Sequence, residues 1–379
     1  MRIAQACWTA ADGWSPNLPM DMGEAELAFV FASREILEND RLVDELKVAI
    51  PKSVLFGCST AGEILDTRVR DNSASVTVVK FEDTGVRCAS LEIADSVDSF
   101  EAGRQLAGSI PHEGLVHLLV LSDGIVINGS ELVRGLSSSL PEGVSITGGL
   151  SGDGARFERT VVLNASGAPA RAVSVVGLYG ARLRVGYASL GGWDAFGPER
   201  LVTHSQGNVL YELDGMSALD LYKRYLGEHA DGLPATGLLF PLSLRRDEAD
   251  TPVVRTILGV DEENHSLTFA GDVPEGSFAR LMMANFDRLI DGASGAAQRT
   301  RASVQEPRPE LALLISCVGR KMVLKQRIEE EVEAVREVLP DAALTGFYSY
   351  GEISPFTPNA KCELHNQTMT ITTFAEVDA

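Results

Sequence analysis

Three carboxylates of this chain sit in one recurring phrase: a proline, ten residues, then glycine followed by an acid. The copies are Pro51 to Gly62-Glu63, Pro141 to Gly152-Asp153 and Pro340 to Gly351-Glu352. A carboxylate on a glycine turn at a strand end can face a crevice between units and hold a ligand amine. It can equally cap the exposed amides of a tight turn. Glu352 has the fullest chemistry, because Tyr348, Ser349 and Tyr350 crowd it with hydroxyls that would orient a polar ligand. Arg255 lies among Val253, Val254 and Ile257. Turned inward, its planar fork suits a carboxylate; on an edge strand it would face solvent. Cys362 follows Lys361 in a polar tract three residues before His365, which is where a redox-responsive thiol would sit.

Known catalytic patterns are missing. The serines of GCSTAG and GLSGDG do not read G-x-S-x-G, GGLSGDG lacks the dinucleotide order, and there is neither a phosphate-binding G-x-x-x-x-G-K-[ST] nor an HExxH. The expectation is a non-catalytic protein.

The elements that position these residues repeat as well. PKSVLFGCSTAGEI and PDAALTGFYSYGEI agree at six of fourteen positions without a gap. Each copy has a short apolar run upstream: Leu27 to Ala32, Leu118 to Leu121 and Leu311 to Cys317. A helical pattern follows, clearest where Leu324, Ile328, Val332, Val335 and Leu339 recur at three- and four-residue steps. Proline ends the pattern, a second strand leads into the glycine turn, and alternating segments at Val76–Val78, Val173–Val175 and Met369–Ile371 predict half-buried strands. The fold class is therefore α/β, with two domains built from duplicated β-α-β-turn-β units and mixed sheets.

The glycines and proline of GGWDAFGP mark the seam, which predicts domains at 1–197 and 198–379. Between seam and third unit, a helix is expected from about Ser217 and a hairpin within RTILGVDEENHSLTF. VPEGS is expected to cap a helix over LMMANFDRLIDG, and QRTRASVQEPRPE to be an exposed connector. With 53 acids against 33 bases, the net charge of −20 repels phosphate backbones and anionic lipid, which excludes nucleic acid and membrane surfaces as partners. Five cysteines without a CxxC, an N-terminus unlike a secretory signal, and no apolar run near the ~20 residues of a membrane span predict a cytoplasmic protein with free thiols.

GCSTAGEI, GGLSGDG, YELDGMSALDLYKRYLG, VPEGS, FYSYGEI and LHNQTMTIT together resemble the FIST family of bacterial signal-transduction sensors, with paired N- and C-terminal domains. The resemblance implies a small-ligand sensor that regulates a histidine kinase or a cyclic-dinucleotide enzyme in trans. It further suggests the haem-binding nitric-oxide sensors, in which haem b would be held non-covalently, since no CxxCH is present. Of six histidines, His365 in LHNQT is then the first candidate for the iron and His204 the second, with Arg255 available to a propionate. The ligand-binding set is Arg255, Tyr348, Ser349, Tyr350, Glu352, His365 and Asn366. The alternative is a haem-independent sensor of a small metabolite such as an amino acid.

Overall fold

The computed structural model describes residues 1–94, 98–248, 252–304, 308–356 and 360–377. Three units of one plan are present. In the first, the strands Leu27–Ala32 and Val54–Ser59 run parallel around the helix Asp40–Ala49. In the second, Leu115–Ser122 and Ser145–Leu150 do so around Gly129–Ser139. In the third, Leu311–Cys317 and Ala343–Ser349 flank Val318–Leu324 and Ile328–Val338. A crossover helix is what a parallel pair requires, and its apolar stripe covers one sheet face.

The units then exchange strands in a ring. The strand after the first glycine turn, Glu63–Leu65, pairs with Ala343–Ser349 of the third unit. Gly351–Pro355, after the third turn, pairs with Ser145–Leu150 of the second. Val162–Leu163 of the second pairs with Val54–Ser59 of the first. Residues 1–190 and 311–376 therefore share sheets. The expected boundary at 197/198 falls inside one long strand, Trp193–Gln206, which opens an eight-stranded antiparallel sheet inserted between the second and third units.

Several local expectations are corrected by packing. The return strands Ser73–Lys80, Ala172–Tyr179 and Met369–Glu376 are buried on both faces rather than half-buried, because neighbouring layers cover each side. LMMA lies in the strand Phe278–Ala284, and the helix begins at Phe286, capped by Asn285 instead of VPEGS. Arg299 and Arg301 lie within that helix, Phe286–Ser303, so the expected connector is helical up to Ser303; its residues 305–307 lie outside the described set. Phe31 and Phe347 stack at 4.7 Å in the core.

Glycine at one structurally equivalent site explains part of the repeat. A Cβ on Gly57 would lie 1.9 Å from the Val30 carbonyl oxygen, and one on Gly346 1.8 Å from that of Leu314. Each obstructing atom belongs to the parallel partner strand, which cannot yield as a side chain does. Gly346→Ala is therefore expected to lower stability by about 1–3 kcal/mol in urea unfolding. A loss below about 0.5 kcal/mol would show that the strand pair accommodates a methyl group.

Candidate functional site

The glycine-acid turns converge where the strands exchange. Glu63 and Glu352 repeat one arrangement. One Glu63 oxygen accepts from Thr60 Oγ1 at 2.6 Å, the other from Ser73 Oγ at 2.7 Å and Ser73 N at 3.2 Å. Glu352 accepts from Ser349 Oγ at 2.6 Å, and from Thr368 Oγ1 at 2.9 Å and Thr368 N at 3.2 Å. Each acid thereby ties its turn to the return strand. Burial pushes their pKa values up, to about 7 for Glu63 and about 8 for Glu352, against the opposing pull of those donors. Asp153 differs: it accepts from Arg34 Nη1 at 2.9 Å, the Arg159 amide at 3.1 Å and the Tyr350 hydroxyl at 3.3 Å.

The strand Ala343–Ser349 ends at Ser349, so Tyr350 lies at the turn and takes a different partner from Tyr348. Tyr348 is fully buried and donates to Glu331 at 2.5 Å, whereas the Tyr350 ring stacks on Phe157 at 4.2 Å. Ser349 stays with Glu352. The three hydroxyls expected around one ligand thus serve three protein contacts.

Unpaired chemistry lies one strand further on. Cys362–His365 runs antiparallel to Gly351–Pro355, with His365 opposite Glu352. The His365 Nε2 lies 2.7 Å from the Ser354 carbonyl oxygen, so Nε2 carries the proton and Nδ1 keeps a lone pair. Burial pulls its pKa down to about 4, which leaves a neutral ring. That Nδ1 has no hydrogen-bond partner among the described residues, and neither do both amide atoms of Asn366 nor Gln367 Oε1. All three residues are buried, Asn366 and Gln367 to 0% exposure.

The inserted sheet closes over this segment. Trp193 Nε1 donates to the Gln367 carbonyl at 2.8 Å, and Gln367 Nε2 reaches Leu238 O at 3.3 Å. Gln367 has φ +63°, and its amide crowds Gly319, where a Cβ would come within 2.5 Å. Arg255 turns inward, 6% exposed, donating to the carbonyls of Leu364 at 2.9 Å and Asp272 at 3.1 Å. Gly271 is required there, since a Cβ would sit 2.9 Å from Arg255 Nε. Asp272 in turn accepts from Asn128 Nδ2 at 3.0 Å, which brings in the second unit.

The structure thus gathers Arg255, Glu352, His365 and Asn366 at one seam, with Ser349 behind Glu352. It places His204 elsewhere, exposed on the inserted sheet and stacked on Tyr211 at 4.8 Å. Cys362 is corrected from an exposed thiol: Sγ contacts Ile146 O at 3.4 Å and burial raises its pKa, so no thiolate forms. Gln367, Trp193, Asp272 and Asn128 escaped sequence reading. The available signal was a run of polar residues, HNQT, between two strands that are otherwise apolar inward.

A haem does not fit His365 as packed. Phe356 meets the ring edge-on at 4.1 Å, Ser354 holds Nε2, and the residue is 1% exposed, so no approach to the Nδ1 lone pair is open to a macrocycle. Cavities of about 340 Å³ beside Met1, Glu310 and Asp341 and about 520 Å³ beside Trp14, Glu45 and Val48 include none of these residues. Among the described residues no cluster of three or more His, Cys, Asp or Glu is placed to hold a metal ion.

The protein belongs to the FIST family, with a FIST N domain over residues 26–216 and a FIST C domain over 218–355. FIST domains are sensor domains, which sets the broad class as signal transduction. The chain is 24% identical to an uncharacterised protein of Methanocaldococcus jannaschii, over 89% of this chain and 71% of that protein. It is similar in structure to the cyanuric acid hydrolase of A. caulinodans, at TM-score 0.40 and 7% identity over 100% of this chain and 99% of the other. A second cyanuric acid hydrolase structure aligns at TM-score 0.32 and 8% identity, covering 99% of each chain. Among the described residues no helix is long and apolar enough to cross a membrane.

Proposed function

We propose that this chain is a haem-independent, non-catalytic sensor of a small polar metabolite, bound at the seam between the inserted sheet and the third unit. The observation that carries the reading is the row of buried polar atoms at His365, Asn366 and Gln367 that have no hydrogen-bond partner among the described residues. Leaving a buried donor or acceptor unpaired costs about 1–3 kcal/mol per group, so such groups need a compensating role. A ligand bearing both donors and acceptors satisfies Asn366 Oδ1 and Nδ2 together, and amino acids are the first class to test. Entry requires the inserted sheet to part from residues 364–368, because the atoms are enclosed. The Trp193–Gln367 bond is where that movement registers. The family resemblance supplies the output, regulation of a histidine kinase or cyclic-dinucleotide enzyme in trans. The free cysteines suit a reducing cytoplasm.

Thermal-shift and dialysis measurements with the common amino acids and short carboxylic acids test this reading. A ligand at a hundred times its Kd stabilises by about 2.7 kcal/mol, a shift of a few degrees. Asn366→Ala is expected to weaken binding at least about tenfold while leaving the ligand-free melting temperature unchanged or higher, because it deletes two unpaired groups. Ligand affinity untouched by Asn366→Ala, or no stabilising compound, would sink the proposal.

A further inference from the structure

We infer that Arg255 reads a carboxylate on the ligand, which makes it the specificity-determining residue of the seam; this rests on the metabolite-site reading above. Arg255 as a residue is 6% exposed, yet every acceptor it has among the described residues is a backbone carbonyl: Leu364 at 2.9 Å, Asp272 at 3.1 Å and Val254 at 3.4 Å. Those contacts occupy Nε and Nη1, and Nη2 makes no hydrogen bond among the described residues. A guanidinium largely withdrawn from water with an edge left open suits a bidentate anion, because carbonyl dipoles alone offset little of its lost hydration.

The neighbouring acids do not serve as that anion. Asp272 is spent on Asn128, and Glu363 lies on the exposed side of its strand. Both nevertheless act on Arg255 through space. Their negative charge narrows the ligand class: a second partner of charge −1 is tolerated, whereas a phosphate dianion meets stronger repulsion. The adjacent unpaired groups at His365 and Asn366 then serve the rest of a small carboxylic acid. Arg255 and Asn366 thus divide recognition between an ionic end and a hydrogen-bonding end.

Titration calorimetry on the whole chain with amino acids, acetate and succinate, their carboxamides, and inorganic phosphate tests the assignment. A bound acid is expected to exceed its carboxamide at least about tenfold, and Arg255→Gln to lose that margin. Arg255→Lys, which keeps the charge without the planar fork, is expected to bind with intermediate affinity. Near-ultraviolet circular dichroism confirms that each variant is folded, and if Arg255→Gln is not, Arg255→Lys decides. Equal binding of acid and amide, tighter binding of phosphate, or a folded Arg255 variant with unchanged affinity would overturn carboxylate recognition. A neutral compound whose binding is lost in Asn366→Ala but kept in Arg255→Gln would leave the metabolite site standing and remove only this inference. Absence of binding by every probe would overturn both.

Discussion

Glu331→Ala is expected to destabilise the protein by about 3–5 kcal/mol, because it strands a charge in the interior. Arg320 and Glu331 form an ion pair at 2.7 Å with both side chains at 0% exposure. Arg320 also donates to the carbonyls of Gly191 and Leu289, each at 2.7 Å. One residue therefore fastens the seam loop and the helix Phe286–Ser303 to the third unit. Without Glu331, Arg320 keeps only those carbonyls, and the Tyr348 hydroxyl and Ser316 Oγ lose their acceptor. Replacing both charges, as in Arg320→Met with Glu331→Leu, is expected to cost less than Glu331→Ala alone, since no uncompensated charge remains. Urea unfolding of the three proteins decides it. A loss under about 1 kcal/mol for Glu331→Ala would show that the pair is not the fastening.

The second large effect is a fall in stability of about 2 kcal/mol between pH 6.5 and pH 8, most of it from Glu352. In the unfolded chain this carboxyl ionises near its ordinary value of 4.5, whereas in the fold burial holds it protonated up to about 8. Glu63 behaves likewise up to about 7. Between those limits the folded chain holds protons that the unfolded chain has released, so rising pH favours unfolding. His117 and His365 oppose this, an effect that fades only as pH rises past about 7.5. Burial depresses them to about 3 and about 4, and the unfolded chain takes up their protons on acidification. The two trends offset each other in mild acid; between pH 6.5 and 8 the histidines still return about a third of the stability that the carboxyls lose, which leaves the net fall. Glu352→Gln keeps an acceptor for Thr368 and a donor toward Ser349 without a titrating proton. It is expected to flatten the profile and to exceed the wild type in stability at pH 8. Parallel profiles for the two proteins in urea unfolding at pH 6.5 and 8.5 would refute the assignment.

Much of the scaffold was legible because it rests on local rules. The apolar runs at Leu27–Ala32 and Leu311–Cys317 became strands, the heptad-like spacing after Leu324 became the helix Ile328–Val338, and Ser217 became the cap of Ala218–Leu226. Arg255, Glu352, His365 and Asn366 were singled out from residue type and setting, and the fold brings them to one seam. Two of the errors, on exposure, share one origin. Met369–Glu376 alternates in sequence but is buried throughout, and Cys362 looks polar in sequence but packs on Ile146, because contacts from distant units cover both.

The sequence by itself determined the repeated β-α-β unit and its glycine-acid turns, since periodicity and turn chemistry act over a few residues, and its motifs carried the family resemblance. Only the tertiary structure decided what the acids do. Whether a carboxyl faces a ligand or ties its own turn depends on which strand arrives beside it, and in this ring each turn passes its strand to another unit. The same holds for Arg255, whose contact with Leu364 spans 109 residues of chain. No local pattern encodes that pairing; it follows from burying an inserted sheet against the third unit, which leaves a guanidinium and a row of amides enclosed together.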